Sequence, residues 1–534
     1  MYCLERGIKM DDTTKQDNHQ GGGSKRLISI ILVIALVVAG GITAYAFLNK
    51  SPKTKYFLAE KKSSEFISDI IDQRFNNELE WREKVDENPS EITYDLSAQM
   101  NNSSGMSSGL FSPDQIVNSS NLTLTTAKDL EDKIMSTELS GNVAGVDIEG
   151  IKYFLTSEAV WVDLPFEDDT LKLKGDDVGQ VLHALDPYSA DEDLEIDFNL
   201  FFEWMEGVLS EEDKDYFKEE YFEMIYEDLP DEAFQTDNDK ITVDGESIKA
   251  EKITMHLTEE EVKDILSSIV NKMSNDDRVK EKLDDLYNLF DIGDSIDPTG
   301  DYDVEDFIGE FEDSLDEVID EINELSIPDG LTSTIWANKN LILQREFILN
   351  IGPSDSELVM FDIKGSQLLD DKKQLFDYEY SVDDGYSQET VFFIGESSID
   401  KEAAEDSIEL SFDDTSIRYE ASETLDDNNK DFERTFIIDD VGLENKILWS
   451  GSASYDKEQM NSNHEFSMED ANIDSDMFSL HIEKEGKLIK EVEQPGDDSK
   501  DLGEMSDIEL LDYLQYELPT KLEEWLFGSM DTMW

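Results

Sequence analysis

Polar and apolar side chains alternate with a period of two through much of this chain, the signature of strands with two unlike faces. "ITYDLSAQM" (Ile92 to Met100) alternates in this way, and further strands are expected around Leu122 to Thr126 and Met135 to Val146. "GIKYFLTSEAVWVDLPF" (Gly150 to Phe166) predicts two strands turning at Thr156 to Glu158. On the second, Val160, Val162 and Leu164 face one side and Ala159, Trp161 and Asp163 the other. "KITVDGESIKAEKITMHL" (Lys240 to Leu257) predicts a hairpin around Asp244-Gly245, a common two-residue turn. From 332 to about 490, segments such as "SELVMFDIKG", "TVFFIGES", "SIELSFDD", "RTFIIDD" and "KILWSGSASY" follow one another without helical spacing, which predicts an antiparallel meander.

Helical spacing interrupts this texture. Phe66, Ile67, Ile70, Ile71, Phe75 and Leu79 predict a helix from Tyr56 to about Val85. Ser210 with Asp213, and Thr258 with Glu261, are spaced as capping boxes, the second opening a helix with Val262, Ile265, Leu266, Ile269 and Met273 on one face. Val304 to Leu325 is the cleanest amphipathic stretch, closed by Pro328-Asp329-Gly330. Ser506 and Glu509 open a last helical region, interrupted at Pro519, whose Trp525, Leu526, Met530 and Trp534 are expected to pack back on the sheet.

"LISIILVIALVVAGGITAYAFL" (Leu27 to Leu48) is uncharged and long enough to span a hydrocarbon core of roughly 30 Å. An uncleaved signal-anchor is expected, although "AYA" at Ala44 to Ala46 also fits a cleavage site. Flanking lysines nearly balance, so orientation follows instead from the short polar tail in front and the bulk behind. The expected organisation is a cytoplasmic tail at 1–26, with translation starting at Met10, and a transmembrane helix at 27–48. An α+β half-barrel-like ectodomain at 49–330 and a mainly antiparallel β domain with C-terminal helices at 331–534 follow. The fold class is α+β: an N-terminal transmembrane helix, then curved antiparallel β-sheets with packed amphipathic helices. The expected location is the cell membrane, single-pass, with the C-terminal bulk extracytoplasmic.

Composition sharpens this picture. Among 534 residues there are 128 acidic and 44 basic, for a formal charge of −84, and only eight of the basic residues are arginines. Such a balance argues against nucleic acid and anionic headgroups as partners, and suits a surface kept soluble where salt screens its self-repulsion. The single cysteine, Cys3, leaves no disulfide framework and no thiol metal site.

Motifs for chemistry are weak. "GMSSG" matches the nucleophile elbow around Ser107, but it lies in an Asn/Ser/Gly run rather than between a strand and a helix. The five histidines, His19, His183, His256, His464 and His481, lack the spacing of a helical zinc site. "DNNKDF" (Asp427 to Phe432) begins like a calcium loop but has Phe432 where glycine is needed and Ile438 where the bidentate glutamate belongs. Asp297, Asp301 and Asp303 offer at most a loose cation site. With so many carboxylates, no acid–base pair can be singled out. No catalytic residue, metal ligand or cofactor site is assigned.

The membrane segment followed by "KYFLAEKKSSEFISDIIDQRF", "IKYFLTSEAVWVDLPF" and "VDGESIKAEKITMHLTEEEVKDIL" resembles a family of Gram-positive single-pass membrane proteins of unknown function. More loosely, the last two segments are similar to the half-barrel domains of LolA-like and LppX-like lipoprotein carriers, over about residues 90 to 330. The first resemblance implies no activity. The second implies a groove for an acyl chain, with Trp161 as the candidate groove residue. The expected function is a non-enzymatic, membrane-anchored binding or structural protein with an envelope protein or lipid as partner. The alternatives are a carrier or sensor for a hydrophobic ligand and, last, a hydrolase with a scattered carboxylate site.

Overall fold

The structure is a computed structural model that describes residues 51–101, 113–185, 194–207, 210–290, 304–471, 473–496 and 499–531. Its strands are β1 (Ser90–Met100), β2 (Asn121–Asp129), β3 (Ile134–Val143), β4 (Val146–Thr156), β5 (Ala159–Asp163), β6 (Thr170–Lys174) and β7 (Phe234–Val243). They continue with β8 (Glu246–Leu257), β9 (Leu331–Asn338), β10 (Leu341–Ile351), β11 (Val359–Asp370), β12 (Lys373–Asp383), β13 (Gln388–Ile399) and β14 (Ala403–Phe412). The last are β15 (Thr415–Asp426), β16 (Asn429–Asp440), β17 (Leu443–Tyr455), β18 (Gln459–Glu469), β19 (Phe478–Leu488) and β20 (Ser499–Asp501).

All 20 strands belong to one sheet. Their pairings run without branching from β7 through β19, then to β1 through β6, and end on β20. Each pair is antiparallel except β6 with β20. Among the described residues β7 and β20 do not pair with each other, so the sheet stays open. The hairpin expected at Asp244-Gly245 is present, both residues having the positive φ (51° and 77°) that this turn needs.

This single sheet corrects the expected α+β class, in which curved sheets carried their own packed helices. β8 pairs with β9 across position 330, and β1 pairs with β19 although nearly four hundred residues separate them. Local periodicity cannot show such closure. The expected single-pass membrane protein with an exported bulk is corrected as well. Among the described residues no helix is long and apolar enough to cross a membrane. The longest, Pro52–Arg74 and Val304–Glu324, are studded with charges. The segment 27–48 and the start at Met10 lie outside the described residues, as do Cys3, His19 and Ser107.

Register divides the sheet into two unlike faces. Across β14 to β18, Glu405, Ser422, Glu433, Ser450 and Glu465 are cross-strand neighbours on one face. On the other, Ile408, Tyr419, Phe436, Ile447 and Met468 are neighbours. Phe392 and Ile394 are exposed exceptions on the polar face.

Two consecutive helices cross the apolar face, α1 (Pro52–Arg74) and α2 (Asn76–Glu87). Ser51 caps α1 by accepting from the Thr54 N–H at 3.2 Å, and Pro52 stands at the first helical position, where its missing N–H costs nothing. The residues that touch the sheet recur every three or four positions. Tyr56 shares a 2.7 Å hydrogen bond with Ser333 of β9, and the Ser63 hydroxyl accepts from the N–H of Ile342 in β10 at 2.9 Å. Glu60 pairs with Arg345 at 2.5 Å. Arg74 donates to Asp406 at 2.8 Å and to Glu423 at 3.0 Å, and Lys430 donates to Glu78 at 2.6 Å. Trp81 closes the row on Gly486 of β19, where a β-carbon would lie 2.8 Å from the indole ring.

Geometry fixes the curvature. Tyr56 to Trp81 is about 38 Å along a helix axis at 1.5 Å per residue, whereas ten strand spacings from β9 to β19 sum to roughly 48 Å. The arc exceeds the chord, so the sheet is concave toward the helices.

Further helices cap the two ends of this face. Near β7 to β11, Glu211–Asp228, Glu259–Asn275 and Val304–Glu324 enclose the largest core, with Ile253, Ile335, Leu349 and Ile351 almost fully buried. The first two of these helices open with the capping boxes expected at Ser210 and Thr258. Near β3 to β6, Asn199–Glu206 packs on Leu155, while Val178–Leu185 and Asp507–Asp512 pack on Leu171.

The Glu423 side chain is wholly buried between Arg74, Arg434 and Lys430. Burial alone would raise its pKa, but hydrogen bonds from Arg74 and Arg434 outweigh it and hold the carboxyl below its ordinary value. A depressed pKa contributes stability above the ordinary value of 4.5, which is lost as pH falls through the folded value. Glu423→Gln is expected to cost about 3–5 kcal/mol at pH 7 in urea denaturation, because it strands buried cations. The gap to the wild type should narrow as pH falls below 4.5 and through the lowered folded value, where the native carboxyl protonates as well.

Candidate functional site

Beyond the line of α1 and α2, no helix among the described residues covers the apolar face from β12 to β18. Nine large apolar side chains there are each more than a third exposed: Tyr380, Val382, Leu410, Phe412, Ile417, Phe436, Ile438, Ile447 and Met468. They are joined by cross-strand pairing and not scattered. Leu410 lies opposite Ile417, which lies opposite Ile438, and Phe436 lies opposite Ile447, which lies opposite Met468. Alternation explains the strip, since each of these positions shares a strand face with residues buried under the helices, such as Ala404, Ala421 and Phe432. A contiguous exposed apolar patch of this kind marks an interaction site.

The helices supply one wall. Asn77 donates to the carbonyl of Asp427 in the β15–β16 turn at 2.8 Å, so its flank of α2 faces the turns. Leu79 lies two residues, or about 200°, round the helix and therefore faces the strip. Ile71 lies on the same flank of α1. Ile71 is 50% exposed and Leu79 42%, so each presents apolar surface on the flank beside the strip. Floor and wall together make a trough. From Val382 to Met468 its floor crosses six strand spacings, roughly 29 Å.

Next to the wall, the floor turns aromatic. Phe432, Trp449 and Phe466 follow one another across β16 to β18 with ring centroids 5.3 and 5.4 Å apart. The Arg434 guanidinium sits 4.4 Å from both the Phe432 and the Trp449 ring. Trp449 donates to His464 Nδ1 at 3.2 Å, and burial pushes the His464 pKa down, so this histidine stays neutral. Polar side chains interrupt the strip at its outer edge, where exposed Glu389 lies opposite Val382 and exposed Asn445 lies opposite Ile438.

The sequence-predicted groove residue falls elsewhere. Trp161 pairs across the sheet with Phe154 and Lys172, on the face opposite Tyr153 and Val162, and the Lys172 ammonium lies 5.4 Å from its ring. The same-strand residues on the apolar face are Val160 and Val162, and both are roofed by helices. His256 and His481 lie in strands and share hydrogen bonds with Thr332 and Ser479. Among the described residues no group of three or more metal-binding side chains gathers. The true floor residues were visible as the apolar half of the alternation in "SIELSFDD" and "RTFIIDD". Nothing local showed that none of the described helices covers them.

No protein-family model and no curated protein matches this chain. Solved structures similar to it include OccK3 of Pseudomonas aeruginosa, at 6% identity over 77% of this chain and 98% of that one, with a TM-score of 0.23. Wzi, a carbohydrate-binding β-barrel of the Escherichia coli outer membrane involved in group 1 capsule assembly, matches at 7% identity over 87% and 98%, with a TM-score of 0.23. A mutant Rh. blastica porin matches at 6% identity over 75% and 99%, with a TM-score of 0.21. Likeness at this level reflects many antiparallel strands and carries no argument about function. The findings correct the expected kinship with a single-pass family and with LolA-like and LppX-like half-barrels, to which none of these similarities points.

Ile438→Asp and Ile447→Asp are expected to leave the melting temperature within a few degrees of wild type, because both sites already meet water. Leu349→Asp, at a fully buried position, should abolish the cooperative melt. Calorimetry of the three variants checks the contrast.

Proposed function

We propose that the trough binds the acyl chains of a lipid, and that the protein acts as a carrier or sensor of that ligand. The observation that carries this reading is the strip of nine exposed apolar side chains walled by Ile71 and Leu79. Its chemistry selects the occupant. The backbone groups of the floor are already paired within the sheet, and its large exposed side chains are apolar, with the polar Glu389 and Asn445 at its outer edge. A partner that needs polar contacts gains little there, whereas a slender hydrocarbon loses only water.

The dimensions agree. A floor of roughly 29 Å matches the thickness of a bilayer's hydrocarbon core, about 30 Å, and so accommodates two acyl chains end to end. The polar face argues against a different use of the same sheet. A barrel strand that spans a membrane turns an apolar band to lipid, but the face away from the helices here presents Glu405, Glu433 and Glu465. The sheet therefore takes lipid into its concave side and keeps water on the other.

The reading is tested by organic extraction and mass spectrometry of the full-length protein beside the Ile438→Asp/Ile447→Asp double variant, purified identically. A lipid stoichiometric with the wild type and depleted at least tenfold in the variant supports it. Equal lipid in both, or a stable dimer that buries the strip, overturns it.

A further inference from the structure

On the opposite flank of α1 lies a cavity of ≈ 730 Å³ unconnected with the strip. It is formed by the β7–β8 hairpin, the β9–β10 turn and the first turns of α1. Four lysines line it, Lys55, Lys240, Lys249 and Lys339, against two carboxylates, Asp239 and Glu251. In a chain with nearly three acidic residues for each basic one, a cavity with a surplus of two positive charges is the reverse of the local rule.

Both carboxylates are already engaged. Glu251 accepts from Lys55 at 2.5 Å, and Asp239 accepts from the Trp336 indole N–H at 2.9 Å. Among the described residues, the ammonium groups of Lys240, Lys249 and Lys339 have no carboxylate or hydrogen-bond acceptor. Lys240 and Lys249 lie directly opposite each other in the β7–β8 register, an arrangement of like charges that destabilises a sheet unless something neutralises it. Lys339 is held at the tip of its turn by positive φ at Lys339 and Asn340 (51° and 65°). Asn338 ties that turn to β8 by donating to the Lys249 carbonyl at 2.8 Å. Backbone geometry thus places the three lysines around one cavity.

We infer that this cavity is a binding site for a phosphate-bearing anion, held by Lys240, Lys249 and Lys339. Lysine ammoniums serve phosphate as compact charges with charge-assisted hydrogen bonds, and a concave wall concentrates their field. The overall charge of −84 does not forbid it, because carboxylates beyond about 8 Å are largely screened at physiological ionic strength. The phosphate belongs either to a lipid headgroup at a membrane surface or to a soluble molecule. The site stands on the far side of α1 from the trough, so it holds whether or not the trough binds lipid.

Titration calorimetry of the full-length protein with inorganic pyrophosphate, and co-sedimentation with phosphatidylglycerol vesicles, test this at about 0.15 M salt. The variants are Lys240→Gln/Lys249→Gln and, as a control, Lys364→Gln/Lys373→Gln, whose lysines are paired with Glu379 and Glu396. The wild type should bind at least one probe, with affinity reduced at least tenfold in the first variant and unchanged in the control. Binding of pyrophosphate assigns a soluble phosphate, and binding of vesicles alone assigns a headgroup. The first variant should melt no lower than wild type without ligand, since it removes a like-charge pair. Absence of binding to both probes, or equal loss in both variants, overturns the inference.

Discussion

The structure depends on a mismatch of widths. A strand of 12 residues such as β13 is about 40 Å long, whereas a helix with its side chains is about 10–12 Å across. One helical rod laid across such strands covers about a third of their apolar face. At the two ends of the sheet other helices complete the cover, and the face becomes ordinary core. In the middle, from β12 to β18, nothing among the described residues does. The open strip follows from this arithmetic, and the concave curvature around the rod turns it from a flat patch into a trough.

What holds the rod in place is unusual for an apolar face. Three of the chain's eight arginines, Arg74, Arg345 and Arg434, lie beneath or on the helices in pairs with Glu60, Asp406 and Glu423. Buried pairs of this kind add little net stability but make wrong registers costly, because a slip leaves a charge unpaired in a dry place. On the opposite face the carboxylates are solvated. Charge thus gives each surface a distinct role. Ion pairs fix the rod, acids keep the convex face wet, and the lysines at the β7–β8 hairpin stand apart from both.

Much of the local structure was legible. Alternation located β1, β8, β11, β13, β14, β16 and β17 and the hairpin at Asp244, and capping boxes marked Ser210, Thr258 and Ser506, where the structure has them. Two of the strands that local pattern failed to reveal, β15 and β18, share a cause that does not apply to β12, where Phe376, Tyr378, Tyr380 and Val382 alternate plainly. β15 and β18 place Glu423, Ser462 and His464 on the apolar face, where they serve the buried network, so their alternation looks broken. The helix periodicity misled in the same way. The stripe that meets the sheet includes Glu60, Ser63, Arg74 and Glu78, whereas Ile71 and Leu79, part of the apolar spacing that predicted the helix, border the trough. One sheet in place of several could not be foreseen, since it rests on β1 meeting β19. Trp161 was named as the candidate groove residue, yet parity along β5 puts it on the face opposite Val160 and Val162.

The central claim is that hydrocarbon lies on the strip between the helical rod and the free ends of β12 to β18. Photo-crosslinking with a diazirine-bearing palmitate, followed by peptide mapping of the full-length protein, tests it most directly. The account predicts adducts concentrated on Phe412, Ile417, Phe436, Ile438, Ile447 and Met468, with Ile71 and Leu79 labelled from the wall. Adducts confined to the polar face at Phe392 and Ile394, or spread evenly over the sheet, would contradict it.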